Sequence, residues 1–144
     1  MKKMNHMGDS TKPEVFIIET FTLDDEKAQR QEGELISRML HLAGKRETEY
    51  YYIRTRRELE EIIDIFDESQ YRYLHISCHA DNRGMATTFD EVSYADLGTM
   101  LSPCLEGRRV FVSACQMATS GLAKEILPET GCYSLIGPKR SIRF

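Results

Sequence analysis

Two segments constrain this chain more than anything else in it: Tyr71–Ala80 (YRYLHISCHA) and Arg109–Gln116 (RVFVSACQ). Each is a run of apolar and β-branched residues, the pattern of a strand buried on both faces of a parallel sheet. Each closes on a reactive side chain, His79 in the first and Cys115 in the second. In an open parallel α/β sheet, chemistry gathers just beyond the carboxyl ends of the strands. If the two strands are neighbours, their axes lie about 4.8 Å apart, and an imidazole and a thiol at those ends come within hydrogen-bond reach. A Cys–His nucleophile needs that arrangement.

The surrounding chain supplies a frame for such a sheet. Val15–Phe21 (VFIIETF) follows Pro13 and reads as a central strand. The spacing of Ala28, Leu35, Met39 and Leu42, widened by Ile36, Leu40 and Ala43, predicts one long helix from Asp24 to Ala43, stopped by Gly44. Glu49–Arg54 (EYYYIR) reads as a strand near an edge, because charges flank it closely. Thr55 with Glu58 makes a capping box, opening a helix over Leu59, Ile62, Ile63 and Phe66. Between the two organising segments, Asp81–Gly84 is a turn, and Met85–Phe89 with Val92 forms a small hairpin. Ser93 with Asp96 caps a short helix through Leu101, stopped by Pro103. Thr119 or Ser120 caps a further helix bearing Leu122, Ala123, Ile126 and Leu127, ended by Pro128, and Tyr133–Ile136 (YSLI) is a last strand. Strands alternating with helices predict a three-layer α/β/α fold with a largely parallel sheet.

At 144 residues the chain suits one domain, read as residues 13–144 behind a disordered lead-in over residues 1–12. The net charge of −4 argues against a dedicated nucleic-acid binder, which needs a basic patch. No apolar stretch reaches the roughly 18 residues of a membrane span. The opening MKKMNHMGDSTK carries positive charge without the apolar region of a secretory signal. The four cysteines share no CxxC spacing, and without an export signal reduced thiols in a cytoplasm are the simpler reading.

A buried cysteine is ordinarily inert packing, and a histidine at a strand end is ordinarily a satisfied core or surface group. The case for chemistry rests on both standing at the carboxyl ends of two candidate neighbours. Strand alternation puts Cys78 on the face opposite His79, so it reads as packing. His75 is in phase with His79 but deeper, which gives it a core or supporting role. Cys104 and Cys132 read as small hydrophobes. His75, Cys78 and His79 are split across two faces, so they make no metal site. A phosphatase-type loop needs an Arg six positions after its Cys, and position 121 is Gly. A glutamine amidotransferase-like nucleophile has its His after the Cys, and no histidine follows Cys115. Neither GxGxxG nor GxxxxGK[ST] occurs, so no cofactor is expected.

LHISCHA followed by VFVSACQ resembles the two signature blocks of the CHAT family, caspase-like cysteine peptidases related to caspases and separase. The likeness runs from about Val15 to Pro138. It implies a caspase-like fold in which a His ends the third strand of the sheet and a Cys ends the fourth. It also implies a catalytic pair: Cys115 attacks a peptide carbonyl as thiolate, and His79 acts as base and then as acid. The oxyanion hole would come from backbone N–H groups at Cys115 and at Ala80, just after His79. Ser113, two residues before the Cys, would line the pocket for the side chain at the cleaved bond. The partner is then a protein or peptide substrate, with a regulatory protein partner in keeping with domains of this kind. Where the family usually has Gly after the catalytic His, this chain has Ala80, which favours a second reading: a caspase-like interaction module that binds without cutting. The family's sheet usually continues past the segment matching Tyr133–Ile136. Only Lys139–Phe144 is left here for that, so the resemblance implies either an exposed apolar surface or edge, or completion by a partner chain.

Overall fold

The computed structural model describes residues 11–114, 121–128 and 130–138. In chain order the elements are β1 (Lys12–Glu19), α1 (Leu23–Lys27), α2 (Glu32–Leu42), β2 (Glu49–Tyr52), α3 (Arg56–Glu68), β3 (Tyr71–Ser77), β4 (His79–Ala80), β5 (Gly84–Ala86) and β6 (Glu91–Ser93). Then come α4 (Tyr94–Leu101), a 3₁₀ turn over Ser102–Cys104, β7 (Arg109–Ser113), α5 (Leu122–Ile126) and β8 (Ser134–Ile136). Five strands form one sheet in the order β2-β1-β3-β7-β8, every pair parallel. Parallel neighbours need crossovers, and helices on both faces of the sheet supply them. The protein is thus mixed α/β with a parallel five-stranded sheet, and no described helix is long and apolar enough to cross a membrane. Strands β4, β5 and β6 make a separate three-stranded antiparallel sheet.

Period-two alternation sorts the strand residues between the faces. Phe16, Ile18, Leu74, Ile76, Val110 and Val112 point into one core, closed by Leu59, Ile63 and Phe66 of α3, Leu97 and Leu101 of α4, and Leu122 and Ile126 of α5. The box predicted at the start of α3 is present: the Thr55 side chain accepts from the Glu58 N–H, and the Glu58 carboxylate accepts from the Thr55 N–H. At the other end of α3, the fully buried Arg108 donates to the carbonyls of Phe66, Asp67 and Ser69.

The opposite face is covered by α2, and here one expectation fails. The single helix Asp24–Ala43 is two helices, broken where Gln29 takes a left-handed φ of 58°. The first is nucleated by a capping box between Thr22 and Asp25, and ends after five residues. Only part of the expected apolar stripe turns inward, at the half-buried Ile36 and Leu40. Leu35, Met39 and Leu42 are exposed, whereas Gly33 and Ser37 face the sheet. Small residues let α2 sit so close that a Cβ on Gly33 would stand 2.9 Å from a Glu19 carboxylate oxygen and 3.2 Å from Ile17. Gly44 does end α2, with φ 97°.

The lead-in is also shorter at its described end than expected: Thr11 is buried and Lys12 already begins β1. Residues 1–10, the Thr119 or Ser120 cap and the tail Lys139–Phe144 lie outside the described residues. Leu127, Tyr133 and Ile136, around the edge strand β8, are exposed.

Candidate functional site

In this strand order the chain leaves β1 toward β2 on one side and then crosses to β3 on the other. The carboxyl ends of β1 and β3 therefore frame a topological switch point, where ligands of open α/β sheets bind. Glu19 is paired with Ser77 there, and the Thr20 N–H donates to the Ser77 carbonyl at 3.0 Å. On the far side of β3, Ser77 is paired with Ser113 of β7, and the Cys78 N–H reaches the Ser113 carbonyl at 3.3 Å.

His79 stands just past that end, though not as the last residue of a parallel strand. β3 stops at Ser77, and His79 and Ala80 turn away as β4 of the small sheet. The ring lies edge-on to Phe21, centroids 5.1 Å apart, and its Nε2 is 2.6 Å from Asp25 Oδ2. The His79 side chain is about half exposed, at 51%, while that of Asp25 is 12% exposed. The same carboxylate oxygen accepts from the Thr22 hydroxyl at 2.8 Å. The Asp25 N–H in turn donates to that hydroxyl at 3.1 Å. Burial pushes the Asp25 carboxyl upward, but the hydrogen bonds from His79 and Thr22 outweigh it and hold it below the usual aspartate range.

Ala80 continues the small sheet opposite Met85. The next ladder position bonds through Asp81 N–H to the Gly84 carbonyl at 3.0 Å. Bonded and non-bonded pairs alternate in an antiparallel ladder, so the Ala80 N–H is not spent on β5. An open cavity of about 380 Å³ is lined by residues of this small sheet, among them His79, Ala80, Asp81, Met85, Glu91 and Ser93.

The other expected site residues are distributed as follows. Cys115 lies outside the described residues; Ala114, the last described before it, is buried. Ser113 is half-buried at the end of β7. Cys78 is buried in the main core, on the face opposite His75. His75 itself is half-buried, and its Nε2 has no hydrogen-bond partner among the described residues. Burial lowers the pKa of His75, against a smaller opposing effect from Glu32. Burial pushes the Cys104 thiol up to about 12, and it also raises that of Cys132.

Two acids at the switch point were not singled out by the sequence. Asp25 sits in a Thr-x-x-Asp pattern, the capping signature already recognised elsewhere in the chain, which marks it as a helix cap and carries no sign of His79. Glu19 is fully buried at the end of β1. Its carboxylate accepts from the Gly33 N–H at 2.6 Å, the Glu34 N–H at 3.3 Å and the Tyr50 hydroxyl at 2.7 Å. It thereby caps α2, whose N-cap residue Gln31 offers no side-chain bond. Burial raises the Glu19 pKa above the usual glutamate range despite these bonds. Next to it, the Ser77 hydroxyl donates to Glu32 at 2.7 Å.

No protein-family model matches the sequence, and a comparison with curated proteins finds no match.

Proposed function

We propose that the protein is a caspase-like cysteine endopeptidase whose His79 and Cys115 cleave a peptide bond in a protein or peptide substrate. The observation that carries this reading is the parallel register of β3 and β7. Ser77 is opposite Ser113, and the two residues proposed as catalytic each follow two positions later in the sequence. The CHAT-like blocks LHISCHA and VFVSACQ are the sequence counterpart of that pairing.

In the proposed reaction the Cys115 thiol gives its proton to His79, and the sulfur forms a bond to the scissile carbonyl carbon. The Ala80 N–H, left over from the β5 ladder, is suited to stabilise the oxyanion together with the N–H of Cys115. The imidazolium then protonates the departing amine as the C–N bond breaks. Water, deprotonated by the same imidazole, hydrolyses the thioester. Ala80 does not handicap this scheme, because it occupies a β-strand conformation open to any residue. Ser113 would help line the pocket for the substrate side chain, and a regulatory partner fits domains of this resemblance.

The test is a peptide-library cleavage screen on the pure protein. Cleavage that is lost in Cys115→Ala and in His79→Ala is the expected result. Binding of peptides without cleavage, unaffected by either substitution, would instead mark a caspase-like interaction module.

A further inference from the structure

A histidine that passes a proton between a thiol and a leaving amine needs one ring nitrogen facing the reaction and the other held still. The chain assigns the second task to one group. His79 Nε2 is 2.6 Å from Asp25 Oδ2, a charge-assisted distance. The imidazole packs against Phe21, two residues past β1, with the ring planes at 73°, which restrains the ring. Asp25 is itself immobilised, since Thr22 bonds its carboxylate and its backbone N–H reciprocally in the capping box of α1. An ionised carboxylate only accepts, so the nitrogen facing it must carry the hydrogen.

From this geometry we propose that Asp25 is the positioning residue of His79, holding the neutral ring as the Nε2–H tautomer and leaving Nδ1 as the base. Its catalytic meaning rests on the peptidase reading above. The thiol proton would then pass to Nδ1 while Nε2 keeps its own hydrogen on Asp25. The imidazolium so formed lies against a carboxylate, and Nδ1 returns the proton to the leaving amine. Nothing is gained or lost over the cycle except the water consumed. Asp25 touches neither substrate nor sulfur in this scheme.

The experiment uses protein labelled with ¹⁵N-histidine at pH 8.5, where an ordinary imidazole is neutral, with the His79 signals assigned from their loss in His79→Ala. A protonated Nε2 and an unprotonated Nδ1 are expected for the wild type. Asp25→Asn keeps the shape but replaces the charged acceptor, which also takes the Thr22 donors, by a neutral carbonyl, and should weaken the Nε2–H bond and move the Nε2 signal. It should also slow iodoacetamide modification of Cys115 at pH 7 by at least about tenfold, with far-UV circular dichroism unchanged. Thr22→Val separates this role from capping: it should lower the unfolding midpoint yet leave the Nε2–H tautomer in place. A wild-type ring found as Nδ1–H would overturn the proposal even if Asp25→Asn failed to fold. So would a His79 Nε2 signal indifferent to Asp25→Asn. Modification slowed by His79→Ala but not by Asp25→Asn refutes the positioning role and leaves the peptidase reading standing. Modification indifferent to His79→Ala removes the peptidase reading, while the tautomer still upholds the Asp25–His79 pair.

Discussion

Arg108 is completely buried, and its guanidinium holds together the end of α3 and the turn after α4. It donates to the carbonyls of Phe66 at 2.9 Å, Cys104 at 3.1 Å and Asp67 at 3.4 Å, and to that of Ser69, with its carbon 4.2 Å from the Phe66 ring centroid. Arg108→Met keeps most of the volume and removes every donor. The Phe66 carbonyl survives this, since Ser69 also donates to it through its N–H and hydroxyl. The carbonyls of Cys104, Asp67 and Ser69 lose this donor, at about 1–3 kcal/mol for each left buried and unmatched. The lost cation–π contact adds up to about 2 kcal/mol. Against this stands the recovered cost of burying a guanidinium, several kcal/mol. The balance is a destabilisation of about 3 kcal/mol, a large part of the roughly 5–15 kcal/mol that holds a domain together. With no tryptophan in the chain, urea unfolding followed by circular dichroism is the suitable assay. At a slope near 2 kcal/mol per molar the midpoint should fall by about 1.5 M. A midpoint unchanged within about 0.3 M, or raised, would refute the claim that Arg108 is held for its carbonyl contacts.

Other perturbations have definite signs. Because burial raises the Glu19 pKa, the folded state favours its protonated form. That contribution is full below the unfolded glutamate pKa and is lost as pH rises through the folded value. Wild-type stability should therefore fall relative to Glu19→Gln as pH rises from 4 to 7, and a urea series at constant ionic strength will read the difference; a flat difference would contradict it. A Cβ on Gly98 would stand 2.6 Å from Glu125 Cβ, so Gly98→Val should push α5 away from α4 and lower stability by about 1–3 kcal/mol, measured by the same urea assay. Thr55→Ala removes the capping oxygen of α3 and should cost about 0.5–2 kcal/mol; no loss in thermal unfolding would argue against that cap.

The central strands were legible because residues buried on two faces leave a continuous apolar run, as in β1 (Lys12–Glu19) and β7 (Arg109–Ser113). Thr55 and Glu58 were legible because a capping box is local. Periodicity misled at α2: Leu35, Met39 and Leu42 repeat as a core stripe would, yet Gly33 and Ser37 face the sheet, because the buried Glu19 needs backbone N–H groups close to it. The break before α2 turns on one left-handed residue, Gln29, a type that carries no such signal. The position of His79 just past the β3 run was legible, but its place in β4 was not, since the ladder with Ala86 only exists once the hairpin has formed. Asp25 was missed for a related reason. Its contact with His79 spans 54 residues of sequence, and only the fold brings them together.

Cys115 and His79, acting as one chemical unit, should betray themselves in differential alkylation. A thiolate beside an imidazole reacts well below the pH at which an isolated thiol does, whereas burial raises the pKa values of Cys104 and Cys132 and Cys78 is enclosed in the core. Short exposure to iodoacetamide at pH 7 followed by peptide mapping should find Cys115 modified well ahead of the other three, and markedly more slowly in His79→Ala. Earlier modification of Cys104 or Cys132, or a Cys115 rate that ignores the His79 substitution, would show that the two residues are not coupled.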